Sequence, residues 1–439
     1  MASIPHTARA ASPSGGELVL IAGRDPLRTS GGSESYVTAH ARAAILAGYR
    51  PHLISVARRA STVETDFGVL HRVASPATPI RGIASVLHRP WLVRAIVRLL
   101  EDRPGPHVIH GFGVWADSAV GASRALARKG VEAVPVATAY VTIEHEAAAK
   151  LGSSIIRRNF VRRLLHLAEV AWVRAVTAPV ESRAWRASSA VVVNYDNVSR
   201  LVEEAYGPGM QFRHLPYAPP TAFAAEPMAP PPLPDAVAGL GDPRAPLIVS
   251  VSRHDGRKGV EVLIEALAAL ERSGVAFRAC LVGPGTLLEL HRRLVASLGL
   301  GSRVLVPGRV DEVMPYVRNC DVYVLPSREE GSGSLAVLEA LQAGAAIVAS
   351  GVDGIPEDLT DGHDALLVPP GDPAALQAAI GRLLGDPELR SRLGAAARSV
   401  YERRFSPPVV AAAIADLYGE FGLAAPAGAS RLETSDSIT

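Results

Sequence analysis

The sequence predicts an α/β protein built from two doubly wound domains, and three observations carry that expectation. Its 439 residues exceed what one hydrophobic core usually supports. Short apolar runs of strand length alternate with longer helical stretches along most of the chain. The alternation breaks once, in a proline-crowded stretch beginning at Pro216, and then restarts.

Taken in order, residues 1–15 lack the apolar core of a signal peptide and read as a disordered lead-in. The first domain, 16–215, opens with Glu17–Ala22 between Gly16 and Gly23, a buried parallel strand by its apolar run. A helix from Glu34 to about Leu46 and a strand at His52–Val56 follow. Further strands are expected at His107–His110, Ala133–Ala139 and Ala190–Asn194. Residues 216–245 form the linker, where Pro219, Pro220, Pro227 and Pro230–Pro232 forbid regular structure.

The second domain, 246–405, repeats the pattern. Strands are expected at Leu247–Val251, Ala279–Gly283, Val304–Pro307, Val322–Pro326, Ala346–Ala349 and Ala365–Val368. Helices are expected at Val260–Ser273, Leu287–Leu298, Leu335–Ala343 and Pro373–Leu384. Residues 406–424 hold an apolar helix able to return to the first domain, and 425–439 read as a disordered tail. In doubly wound sheets ligands sit beyond the carboxyl ends of the strands, so two facing domains place a cleft between them.

Composition narrows the function. Hydrophobic residues make up 48%, which excludes a disordered or fibrous chain. The two cysteines, Cys280 and Cys320, are too few for a disulfide framework or a metal-ligand cluster; they read as buried free thiols of a reducing cytoplasm. No apolar stretch approaches the roughly 20 residues of a membrane-spanning helix. Residues 1–215 hold 26 basic against 16 acidic side chains and the remainder 19 against 27, so a basic half faces an acidic one. That asymmetry fits either mutual attraction or composition bias. The basic residues are spread without aromatic interleaving, which argues against nucleic-acid binding.

Two stretches carry chemistry. In Leu325–Gly344 (LPSREEGSGSLAVLEALQAG) a strand ends, a loop holds Glu329, Glu330, Gly331, Gly333 and Ser334, and a helix carries Glu339. Glycines at a helix start let amides approach a phosphate. Carboxylates repel a phosphate but accept hydrogen bonds from sugar or ribose hydroxyls. In Val251–Gly259 (VSRHDGRKG) Arg253 and Lys258 stand on a strand-to-helix loop at the same edge, where two cations can neutralise a diphosphate.

These pieces, with LVGPG at Leu281–Gly285, PGRV at Pro307–Val310 and GIPEDLTDGHDALLVPPGD at Gly354–Asp372, resemble the retaining glycosyltransferases of family 4, which have the GT-B fold. The resemblance spans nearly the whole second domain. It implies a nucleotide-sugar donor whose diphosphate is gripped by Arg253 and Lys258. It assigns the transferred sugar to Glu330 and the ribose to Glu339, puts Arg309 and Val310 near the base, and sets the backbone of Gly331–Ser334 near the phosphates. Such a site needs no metal or cofactor, since the cations replace a divalent ion. One departure stands out: the family places seven residues between its two glutamates, whereas Glu330 and Glu339 have eight between them. Ser334 is then an insertion, or Glu329 is the sugar-contacting carboxylate.

The first domain matches less closely. Ser30–Glu34 (SGGSE) resembles the family's Gly-Gly loop, with Gly31 and Gly32 near the donor diphosphate, although a plain tight turn also needs such glycines. His110 sits where the family often has a cleft histidine, with a core histidine as the rival reading. Tyr140 and His145 compete for a second acceptor-side position. The helix around Ile155–Ala175 interleaves Arg157, Arg158, Arg162 and Arg163 with apolar residues. Packing against the sheet is the favoured reading, and weak peripheral contact with the inner face of the membrane the alternative.

The expected protein is therefore a cytoplasmic transferase with an unidentified acceptor. A nucleotide-sugar epimerase, a sugar phosphorylase or a non-catalytic partner subunit are the other readings of the same fold.

Overall fold

The computed structural model describes residues 16–29, 31–76, 84–151, 160–224 and 231–424. The lead-in, the tail, Ser30, Arg157 and Arg158 lie outside the described residues.

The first sheet contains β1 (Leu18–Gly23), β2 (His52–Ala57), β3 (Ser61–Thr65), β4 (Gly68–Ala74), β5 (His107–Phe112), β6 (Ala133–Thr138), β7 (Ala190–Val193) and β8 (Phe212–His214). Their order is β3-β4-β2-β1-β5-β6-β7-β8, and all pairs are parallel except β3 with β4. The second sheet contains β9 (Leu247–Val251), β10 (Arg278–Val282), β11 (Val304–Gly308), β12 (Val322–Leu325), β13 (Ile347–Ser350) and β14 (Ala365–Val368), ordered β11-β10-β9-β12-β13-β14 and parallel throughout. In each sheet the winding reverses beside the first strand, between β1 and β5 and between β9 and β12, so each has a switch-point crevice at its carboxyl edge.

The central strands β1, β7, β10 and β12 are buried along almost their whole length, because helices cover both faces. The sequence expectation did not include β4, and it also lacked β3, β8 and the helix Pro387–Arg404. β3 is a largely exposed edge strand of Ser, Thr and Glu and offers no apolar run. β8 has only three residues. The helix Pro387–Arg404 follows a capping Asp386, whose carboxylate accepts from the Leu389 amide at 2.9 Å, with proline at its first position.

The final helix, Pro407–Gly419, leaves the second sheet and packs on the helix Gly32–Leu46 of the first. There the Tyr418 hydroxyl lies 2.6 Å from His40 Nε2 and 2.8 Å from His110 Nδ1. The hydroxyl of Tyr49 donates to the Leu423 carbonyl at 2.9 Å. One apolar core accordingly runs through residues of both halves.

Candidate functional site

Loops leaving β9, β10, β12 and β13 pack together at the carboxyl edge of the second sheet. Gly259 makes the closest approach: its φ is +57°, and a Cβ there would stand 2.1 Å from the Pro326 carbonyl oxygen. A side chain would force the loop after β9 away from the loop after β12. The Arg257 carbonyl then accepts from the amides of Arg328 at 2.7 Å and Glu329 at 3.2 Å. The basic loop and the glutamate loop thus form one unit.

Within that unit Lys258 Nζ lies 2.5 Å from Glu330 Oε2, and the Ser327 hydroxyl donates to Glu330 Oε1 at 2.5 Å. The Glu330 side chain is 3% exposed and that of Lys258 17%. Arg253, 67% exposed at its side chain, lines a cavity of about 230 Å³ together with Val282–Pro284, Arg309, Val310 and Val313. A mostly aliphatic cavity rimmed by two arginines suits a flat ring attached to an anion. The sequence expectation had put Arg309 and Val310 beside such a ring.

Glu339 sits in the helix Leu335–Ala343 and is half-buried. Burial raises its acid from 4.5 to about 7, because no cation offsets the loss of water. Ser334 is the buried, extended residue just before this helix. Gly333 meets the other half of the molecule: a Cβ would stand 1.8 Å from the Tyr195 hydroxyl oxygen. Gly331 faces Val141.

The two carboxyl edges therefore face each other. His145, after β6, brings Nε2 within 3.3 Å of Glu329 Oε1. Asn197, after β7, donates to the Gly331 carbonyl at 3.3 Å. Glu357 accepts from the amides of Asp196 at 2.7 Å and Asn197 at 2.9 Å, at the start of the helix Asp196–Tyr206. The Tyr195 hydroxyl donates to Asp358 at 2.7 Å; burial raises that aspartic acid from 3.8 to about 7.

The two competing glutamates are separated by this geometry. Glu330 faces Lys258, and Glu329 faces the first-half His145. Gly31 and Gly32 are exposed at the carboxyl edge of β1, where Gly32 opens its helix. Tyr140 packs on Tyr36 with ring centroids 4.8 Å apart, and its buried hydroxyl has no hydrogen-bond partner among the described residues. His110 does not line the cleft. It is fully buried between Tyr418 and Thr138, 2.6 Å from the Thr138 hydroxyl, as a core histidine.

Other expectations need adjustment. Cys280 is buried, but Cys320 is only half-buried, and its thiol donates to the Val317 carbonyl. The helix Phe160–Trp172 packs Val170 against Ala147 of the helix Ile143–Leu151 and leaves Leu164 and Leu167 exposed. Among the described residues no helix is long and apolar enough to cross a membrane, and no group of His, Cys, Asp or Glu could hold a metal ion.

The family described as Glycosyl transferases group 1 matches residues 245–386, the stretch that builds this crevice. A GDP-mannose-dependent alpha-(1-6)-phosphatidylinositol monomannoside mannosyltransferase of Mycolicibacterium smegmatis is 31% identical over 272 residues, covering 58% of this chain and 70% of that protein. The chain belongs to the group 1 glycosyltransferases.

As a member of that family it is a glycosyltransferase enzyme. The alpha-D-kanosaminyltransferase of Streptomyces kanamyceticus is 33% identical over 187 residues, 42% of this chain and 48% of that one, so the chain spans less than half of that relative. The sucrose-phosphate synthase of Thermosynechococcus elongatus shares the fold, with a TM-score of 0.69 at 23% identity over 93% of this chain and 99% of the other. An Anabaena protein solved in complex with UDP also shares it, with a TM-score of 0.65 at 16% identity over 92% and 100%. The glycosyltransferase fold is GT-B, as expected from the sequence.

Missed by the sequence reading were Tyr195, Asn197, Asp353, Glu357 and Asp358. The last three stand in or beside a motif already quoted, but Tyr195 and Asn197 follow an ordinary short strand and carry no sequence signal.

Proposed function

We propose that this enzyme is a retaining glycosyltransferase of family 4 that moves a sugar from a nucleoside-diphosphate sugar to an unidentified acceptor. The observation supporting this most is the Lys258–Glu330 pair joining two packed loops, with Arg253, on the same loop as Lys258, lining the cavity beside Arg309 and Val310. In this reading Arg253 and Lys258 take the diphosphate, Glu330 the transferred sugar and Glu339 the ribose, with Gly31, Gly32 and the Gly331–Ser334 backbone beside the phosphates. The resemblance to the family supports retention.

The bond between the anomeric carbon and the β-phosphate oxygen breaks as the acceptor oxygen bonds to the same face. The acceptor's proton passes to the leaving diphosphate. Lys258 and Arg253 stabilise charge growing on that diphosphate, which is why no metal is required. His145 and Tyr140 stand on the acceptor side. The enzyme works in the cytoplasm, and a lipid-linked acceptor would bring the exposed Leu164 and Leu167 to a membrane surface.

The test is a screen of UDP- and GDP-sugars against candidate acceptors, reading released nucleoside diphosphate and the anomeric configuration of the product. An inverted product, or isomerised donor without acceptor, would overturn the reading. The ribose assignment has its own signature. Hydroxyl groups donate to an ionised carboxylate, so nucleotide binding should strengthen as pH rises through about 7, where Glu339 loses its proton. Calorimetry between pH 6 and 8 should show about a tenfold gain. Glu339→Gln should bind more weakly at pH 8 and lose that part of the slope, leaving only what the diphosphate's own titration contributes; an unchanged slope would remove Glu339 from the ribose.

A further inference from the structure

Asp353, in the turn after β13, is the non-glycine residue with φ in the left-handed region among the described residues, at +51°. An L side chain is disfavoured there, although Asp and Asn bear it best. What holds it is visible. Asp353 Oδ2 accepts from the backbone amides of Glu330 at 2.6 Å and Gly331 at 2.7 Å. The next residue continues the seam, since the Gly354 amide donates to the Ser332 carbonyl at 3.0 Å. Three hydrogen bonds therefore stitch this turn to residues 330–332.

The consequence concerns Glu330. Its carboxylate is fixed by Lys258 and Ser327, and its backbone by Asp353. Without the Asp353 carboxylate, two adjacent amides lose a charge-assisted acceptor, and the glycine-containing loop is free to rotate about Gly331, whose φ is +81°. Asp353 is itself exposed, so burial does not explain a left-handed aspartate at this position. Observed strain beside a reactive crevice points to a role in the site.

We propose that Asp353 is a positioning residue, which sets the backbone of Glu330 and Gly331 and thereby aims the Glu330 carboxylate for sugar transfer. The proposal rests on the donor-site reading above. Two variants separate aim from stability. Asp353→Gly removes the carboxylate and relieves the backbone, and Asp353→Asn keeps an oxygen acceptor that tolerates the same backbone.

Asp353→Gly should lower kcat by about tenfold or more while the donor KM stays within about threefold, and Asp353→Asn should recover most of the loss. Hydrogen–deuterium exchange of the ligand-free proteins should show faster exchange in residues 327–334 of the glycine variant, with β13 unchanged. A kcat within about twofold of wild type, a loss confined to KM, or unaltered exchange in 327–334 would overturn the proposal. If the wild-type protein neither binds UDP or GDP nor turns over, the donor-site reading fails instead, and the exchange comparison still decides whether Asp353 holds the loop.

Discussion

Replacing Lys258 with alanine should lower kcat/KM by about 10²–10³, the usual cost of deleting one preorganised charge from a transition-state site. The ammonium is nearly buried, 17% exposed, and stands on the loop that Gly259 presses against the glutamate loop. Its position is set before any ligand arrives, so little reorganisation is needed as negative charge grows on a departing diphosphate. Lys258→Arg should recover only part of the activity, because a planar fork cannot occupy the site of a point charge so close to Glu330. Arg253→Ala should cost less, since its guanidinium is largely exposed and water screens it.

A structural penalty accompanies the chemical one. Removing Lys258 leaves the Glu330 carboxylate 3% exposed with Ser327 as its remaining side-chain partner, and an unpaired buried charge destabilises the fold. Kinetics are therefore to be measured well below the melting transition of the variant. Pairing Lys258→Ala with Glu330→Gln removes that charge: melting should recover while transfer stays low. Recovery of transfer along with melting would overturn the roles given to both Lys258 and Glu330.

The contrast between the two halves explains what a single sequence can reveal. Strands such as Leu247–Val251 and Ala365–Val368 were readable to the residue, because strands covered on both faces are apolar at nearly every position. β3 escaped notice for the opposite reason: an edge strand facing water has no such pattern. The crevice we propose for the donor stood out in the sequence because its residues are compact there, with glycines, cations and carboxylates on loops that leave strands. Its eight-residue spacing left Glu329 and Glu330 undecided. Only the fold shows that one faces Lys258 and the other reaches across to His145.

Long-range pairings were invisible for a physical reason. Glu357 bonds to backbone amides at the start of a helix more than a hundred residues away, and backbone amides leave no mark on composition. His110 shows the same limit. A histidine ending a strand is equally compatible with a cleft and with a core, and the choice is made by Tyr418, contributed by a helix 308 residues later in the chain.

That junction carries the second large effect. Tyr418→Ala should destabilise the protein by about 3–5 kcal/mol, as expected for truncating an aromatic ring that is fully buried. Tyr418→Phe isolates the hydroxyl. One phenol has one proton, so it donates to one of the nitrogens His40 Nε2 and His110 Nδ1 and accepts from the other. Phenylalanine leaves both buried nitrogens without that partner, at a cost of about 1–3 kcal/mol. Burial holds His40 from its usual 6.5 down to about 3 and lowers His110 well below 6.5. The folded state therefore refuses protons that the unfolded chain accepts below pH 6.5. The contribution of these two histidines is full above that pH and is lost as pH drops from 6.5 toward 3. The buried acids Glu339 and Asp358, raised to about 7, act in the opposite direction, so the histidine share is read by difference: between pH 7.5 and 5 the urea midpoint of His40→Leu should fall less, or rise more, than that of wild type. If Tyr418→Ala melts like wild type, the last helix does not clasp the first domain in solution. The contact through which the C-terminal segment ties the first half to the second would then not hold in solution.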